Sequence, residues 1–102
     1  MDQGQKAIVL NAKDNVATAL TDLEADTTLD LDVGGRSLRV RLTRTVPFGH
    51  KFSLGEIKTG EKVIKYGEVI GTATDVIHPG DYVHIHNVAS TRGRSDHAGG
   101  TI

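Results

Sequence analysis

Apolar residues in this chain recur in short runs and in strict alternation. Nowhere do they keep the 3.6-residue period of an amphipathic helix over three turns. Ala7-Ile8-Val9-Leu10 is a compact run closed by the turn formers Asn11, Asp14 and Asn15. Val16 to Glu24 comes nearest to a helical pattern, yet alternates well enough to be a strand. Leu29, Leu31 and Val33 alternate with Asp30 and Asp32, and beyond Gly34-Gly35 the residues Leu38, Val40 and Leu42 alternate with Arg39 and Arg41. Two period-two stretches around a Gly-Gly pair predict a hairpin, since both central residues of a type I′ turn need positive φ. An acidic strand then faces a basic one, so Arg39, Arg41 and Arg44 are expected to pair with Asp30 and Asp32.

Further on, the Leu/Ile spacing and glycines of Leu54 to Glu61 allow at most one short 3₁₀ turn. Val63-Ile64-Lys65-Tyr66-Gly67 and Val69-Ile70-Gly71-Thr72-Ala73 predict two short strands with a bulge or close backbone approach at Gly67. Pro79-Gly80 is a turn. Tyr82 to His86 is expected as a last strand, with Tyr82, His84 and His86 on one face and Val83 and Ile85 on the other. From Ser90 the chain is polar and glycine-rich, which places a domain at residues 1–94 and a flexible tail at 95–102. No internal repeat is visible.

Composition narrows the reading. The 102 residues make one domain, mainly β by their Val, Ile, Thr and Gly content. Charge is balanced, 12 Lys and Arg against 13 Asp and Glu, and aromatics are few, so nucleic acid is not an expected partner. The absence of cysteine excludes a disulfide scaffold, a thiolate nucleophile and a Cys-bound metal within these residues. No apolar run is long enough to span a bilayer and the first residues do not read as a signal peptide, so a cytoplasmic location is expected.

Chemistry concentrates in a few places. His84-Ile85-His86 puts two imidazoles two apart, a spacing that suits either a shared metal ion or two histidines on a wet strand face. His50, in the Gly49-His50-Lys51 turn, is the best third ligand, or else a backbone cap. Lys65-Tyr66-Gly67-Glu68 groups a cation, a phenol and a carboxylate, apt for a small polar acid or for an ordinary strand end. Arg92 and Arg94 suit gripping a carboxylate or keeping a tail soluble.

Four blocks then occur in order: Asp14-Asn15-Val16-Ala17, Gly49-His50-Lys51-Phe52, Val63-Ile64-Lys65-Tyr66-Gly67 with Ile70-Gly71, and Val83-His84-Ile85-His86-Asn87. Together they resemble the N-terminal SAF domain of the altronate dehydratase and galactarate dehydratase family. The resemblance implies a β-clip fold and a lyase that removes water from a sugar acid to give a 2-keto-3-deoxy acid. It also implies a divalent metal, iron(II) or manganese, and a large catalytic piece, fused to the SAF domain in many members and a separate chain in others. This chain is expected to be a natural small subunit, inactive by itself, the alternative being an excised domain. A relative with the same two-piece plan, sulfolactate sulfo-lyase, expels sulfite instead. On this resemblance His50, His84 and His86 are the expected catalytic or metal-ligating residues, the metal being shared with the large subunit. Lys51, Lys65, Tyr66, Glu68, Asn87 and Arg92 are the expected substrate contacts. The alternatives are a binding or docking module without a catalytic contribution, or a sulfo-lyase small subunit. Exposed strand edges are expected to let an isolated chain dimerise.

Overall fold

The computed structural model describes residues 6–90. Among them there are strands and no helix: β1 (Ala7–Ile8), β2 (Val16–Ala19), β3 (Thr28–Val33), β4 (Arg36–Arg41), β5 (Lys51–Ser53), β6 (Lys62–Lys65), β7 (Glu68–Ala73), β8 (Tyr82–Val83) and β9 (Val88–Ser90). The mainly β expectation holds. The short 3₁₀ turn allowed between Leu54 and Glu61 does not form; that stretch is a bend, a bridge and a tight turn. All pairing is antiparallel, in a four-stranded sheet β1-β2-β5-β8, the hairpin β3-β4 and a three-stranded sheet β6-β7-β9.

The first hairpin follows its alternation. Leu29, Leu31 and Val33 are buried while Thr28, Asp30 and Asp32 face water, and Gly34 and Gly35 turn at φ 60° and 87°. Arg39 lies opposite Asp30 and binds it at 2.8 Å. The rest of the expected pairing is corrected. Arg41 reaches Asp26 at 2.8 Å, and Asp32, opposite Ser37, accepts the Gly35 N–H instead. In the second hairpin Tyr66 and Gly67 form the tight turn at φ 58° and 76°, and the register shift falls at Val63/Ile64 rather than at Gly67.

The hydrogen bonds show a repeat that the residue pattern hides. Leu23 and Val46 form an antiparallel bridge before and after the first hairpin, and Ile57 and Ile77 do the same around the second. Each bridge residue is followed directly by a four-residue turn closed by an N–H···O=C bond: Glu24–Thr27, Pro47–His50, Lys58–Glu61 and His78–Asp81, at 2.9 to 3.2 Å. The third residue of each has positive φ, namely Asp26, Gly49, Gly60 and Gly80. Ala19 exchanges backbone bonds with Gly49 and His50, and Ser53 exchanges the same bonds with Gly80 and Asp81. Strand β5 therefore closes the first copy and opens the second. The reading of no repeat is corrected; only the apolar bridge residues and the turn positions recur, too few to stand out in the chain.

Each copy builds its own small core. Leu23, Leu29, Leu31, Val33, Val40, Leu42, Val46 and Phe52 cluster around the first hairpin. Ile57, Val63, Ala73, Ile77 and Val83 cluster around the second, with Val16. The adjoining strands β5 and β8 bury Phe52 in one cluster and Val83 in the other, which leaves their ends to carry polar side chains at the junction.

Candidate functional site

The β5–β8 pair organises the site. Lys51 lies opposite Val83, and Phe52 opposite Tyr82. The Pro47–His50 turn delivers His50 to the start of β5. On the other strand the expected run Tyr82 to His86 is cut short: β8 ends at Val83, and residues 84–87 form a turn. Asn87 causes the cut. Its Oδ1 accepts the His84 N–H at 3.0 Å and its Nδ2 donates to the Tyr82 carbonyl at 2.9 Å, while its own N–H bonds the His84 carbonyl. A side chain that takes the backbone groups of the next residues competes with the ladder. Asn87 is buried, with both ends of its amide engaged in holding this turn. Ile85, expected on the strand face opposite the histidines together with Val83, is instead 67% exposed at the turn's tip, while Val83 is buried.

The turn still gathers the rings. Tyr82 stacks on His84 with centroids 5.6 Å apart and an interplanar angle of 13°, and the His86 ring stands 5.6 Å from the same Tyr82 ring, tilted by 34°. His50 is 5.0 Å from His84 and 5.6 Å from Tyr82, and its Nδ1 shares a 2.6 Å hydrogen bond with the Tyr82 hydroxyl. Arg44 sets its guanidinium 5.1 Å from the centre of the Tyr82 ring, a cation–π contact. Its expected pairing with a hairpin aspartate gives way to that contact. Tyr82 and Arg44 are therefore members of the site that sequence reasoning missed. Tyr82 alternates with His84 and His86, a signal available in the chain; Arg44 carries none, because a stacking cation far away in sequence leaves no local mark.

Lys51 is buried at 3% exposure. Burial pushes its amine down to about 8, helped by repulsion from Lys65. His84 is also held below its ordinary value, first by burial and then by His50, Lys51 and His86. The charged neighbours acting on both groups are thus bases. Lys65 lies 4.6 Å over the Tyr66 ring and opposite Glu68 in the register, so Tyr66 and Glu68 sit at an exposed hairpin tip tied to the cluster through Lys65. Arg92 and the tail from residue 95 lie outside the described residues. Among the described residues, no group of three or more His, Asp or Glu side chains could hold a metal ion. His50, His84 and His86 surround Tyr82 rather than a common point, so they do not fit a complete metal centre. What they do form is a compact set of N–H donors and proton-exchanging rings suited to an anion.

Residues 5–91 match the family model described as the altronate/galactarate dehydratase SAF domain. The chain belongs to this family. It is 45% identical over 80 residues to altronate dehydratase of Escherichia coli (strain K12), covering 78% of this chain and 15% of that protein. It is 37% identical over 57 residues to (2R)-sulfolactate sulfo-lyase subunit alpha of Chromohalobacter salexigens, 56% of this chain and 61% of the relative. For the same subunit of Paracoccus pantotrophus the figures are 39% over 54 residues, 53% and 81%. This SAF domain thus spans a small fraction of altronate dehydratase and under two thirds of the first sulfo-lyase subunit.

The first of the matched blocks is architectural in this SAF domain. Asp14 is buried and accepts the Gly67 N–H at 2.8 Å. Asn15 accepts from the Ile64 N–H at 2.8 Å and donates to the Lys62 carbonyl at 2.9 Å. These bonds pin the second hairpin to the four-stranded sheet and so fix where Lys65 stands relative to Lys51.

Proposed function

We propose that this SAF domain is the small component of a carbon–oxygen lyase that dehydrates a sugar acid such as altronate or galactarate to a 2-keto-3-deoxy acid. Its basic cluster completes the active site of a larger catalytic chain. The observation that carries the reading is the convergence of His50, Tyr82, His84 and Lys51 on the β5–β8 junction, within the residues that match the family. A sugar acid brings a carboxylate that the Lys51 and Lys65 ammonium groups and the Arg44 guanidinium attract. Removal of water from it needs a base for the proton beside that carboxylate and an acid for the departing hydroxyl, roles within reach of His50, His84 and His86. A divalent metal, iron(II) or manganese, would stabilise the enediolate-like charge; the partner chain supplies its ligands.

Two apolar side chains flank the cluster in the open. Phe48, two residues before His50, is 65% exposed, and Ile85, between His84 and His86, is 67% exposed. Large exposed apolar groups beside a polar cluster are what a surface covered by a partner presents. The test is to mix this chain with a large catalytic chain of the altronate dehydratase family that lacks its own SAF domain, and to follow 2-keto-3-deoxy acid formation from altronate and galactarate. Turnover that needs both chains supports the reading; turnover by the large chain unaided overturns it. If His84→Ala and His86→Ala leave turnover and association unchanged, the domain is a docking module.

A second reading, the small subunit of a sulfolactate sulfo-lyase, is favoured by one observation: the chain matches 61% and 81% of those alpha subunits' lengths. Release of sulfite from sulfolactate by the two-chain mixture would select it.

A further inference from the structure

We propose that Tyr82 is a positioning residue whose hydroxyl donates to His50 Nδ1, holding the neutral imidazole with its proton on Nε2 and presenting that N–H to the site. The separation of 2.6 Å is normal for an O–H donor and short for an N–H donor. The chemistry agrees, since a phenol is the better donor and an imidazole nitrogen the better acceptor. Tyr82 is held from several sides. Its backbone is paired with Phe52, its carbonyl takes the Asn87 amide, and its ring is clasped by Arg44, His84 and His86 while packing on the first core cluster. His50 is equally fixed through its backbone, by Pro47 and Ala19. With both residues anchored, the hydroxyl selects the imidazole's tautomer.

The consequence concerns what His50 can do. A nitrogen that carries a proton offers no lone pair, so His50 held in this way is a hydrogen-bond donor to an anionic oxygen and not a metal ligand through Nε2. To ligate a metal there, the imidazole would have to move its proton to Nδ1 and the Tyr82 O–H would have to turn away. The catalytic part of this inference rests on the sugar-acid reading above; the tautomer does not.

Nitrogen-15 NMR of the ring nitrogens in the uniformly labelled chain, at a pH where His50 is neutral, tests the tautomer. The expected spectrum has His50 Nδ1 unprotonated and Nε2 protonated, and Tyr82→Phe moves the Nδ1 resonance by removing its donor. A proton found on Nδ1 of the wild-type chain overturns the proposal, and that measurement stands even if Tyr82→Phe does not fold. With the large chain and altronate, Tyr82→Phe is expected to lower kcat about tenfold, to leave KM within about twofold, and to shift the pH profile. An unchanged kcat and pH profile removes the catalytic role. Absence of altronate turnover in the wild-type mixture removes the sugar-acid reading while the NMR result still decides the tautomer.

Discussion

The two copies of the hairpin unit place different residues at the same position, and the difference separates architecture from site. The turn Pro47–His50 ends the first copy and His78–Asp81 ends the second, with matching backbone bonds to Ala19 and to Ser53. In the second copy the final residue is Asp81, whose carboxylate folds inward. It accepts the His78 N–H at 2.7 Å and the Thr43 hydroxyl at 2.7 Å, so it closes its own turn and ties down the end of the first hairpin. In the first copy the final residue is His50, whose ring reaches across the strand pair to the Tyr82 hydroxyl. The following positions differ as well: Lys51 is buried beside the histidines, while Tyr82 is the hub of the ring cluster. The domain thus contains the same turn twice, once in each copy: in the second it is stabilised by its own side chain, in the first it is left to hold a chemical group.

Substitutions can break this comparison, beginning with the turn glycines. A Cβ on Gly80 would stand 1.9 Å from the Arg41 carbonyl oxygen, whereas one on Gly49 meets nothing within 4 Å. Both have φ of 85°. Gly80→Ala is therefore expected to cost about 3 to 5 kcal/mol, strain plus overlap, and Gly49→Ala about 1 to 2 kcal/mol from strain alone. Urea unfolding of both variants checks the difference; equal losses would dissolve it.

His50→Ala is expected to lower turnover of the two-chain mixture by about a hundredfold or more, at a stability cost of about 1 kcal/mol. Asp81→Ala reverses the balance, since two bonds to a carboxylate are lost, at about 1.5 to 3 kcal/mol each. Steady-state kinetics and chemical denaturation of the same pair of variants would show whether site and scaffold divide along the repeat.

Lys51 adds a pH signature. Its amine sits near 8 in the folded chain against 10.5 when unfolded. Below the lower value the folded state bears the full cost of a buried charge, on the order of 3 kcal/mol; above the higher value it bears none. Stability should therefore rise between about pH 8 and 10.5 in the wild type relative to Lys51→Met, as read by thermal melts across that range. Parallel curves for the two proteins would contradict the burial.

The smallest effect belongs to the exposed hairpin pair. Arg39 holds the Asp30 carboxyl below its usual range, first by its hydrogen bond and then by its charge. Solvent screens such a pair, so Asp30→Asn should change the melting temperature little, and less still in high salt.

Some of this was legible in the chain. The Gly34-Gly35 hairpin was, because alternation and paired glycines act through nearest neighbours. The histidine blocks stand out in the chain, although the strand expected to carry His84 and His86 is a turn. The Asn87 side chain that folds it acts on backbone groups up to five residues away, which alternation does not register. Opposite charges nearby in sequence point Arg44 to an aspartate; its partner is a ring.

By itself the sequence determined a mainly β chain, its tight turns, the family to which it belongs and the residue types capable of acid chemistry. Those properties are local or are carried by ordered blocks of residues. Tertiary structure decided the doubled unit, the meeting of His50 with Tyr82, and the burial of Lys51. Each depends on which strand lies beside β5, and that neighbour comes from a hairpin away in the chain. Hydrogen-bond register sets such distances, and hydrophobic pattern alone does not specify it across separate strands.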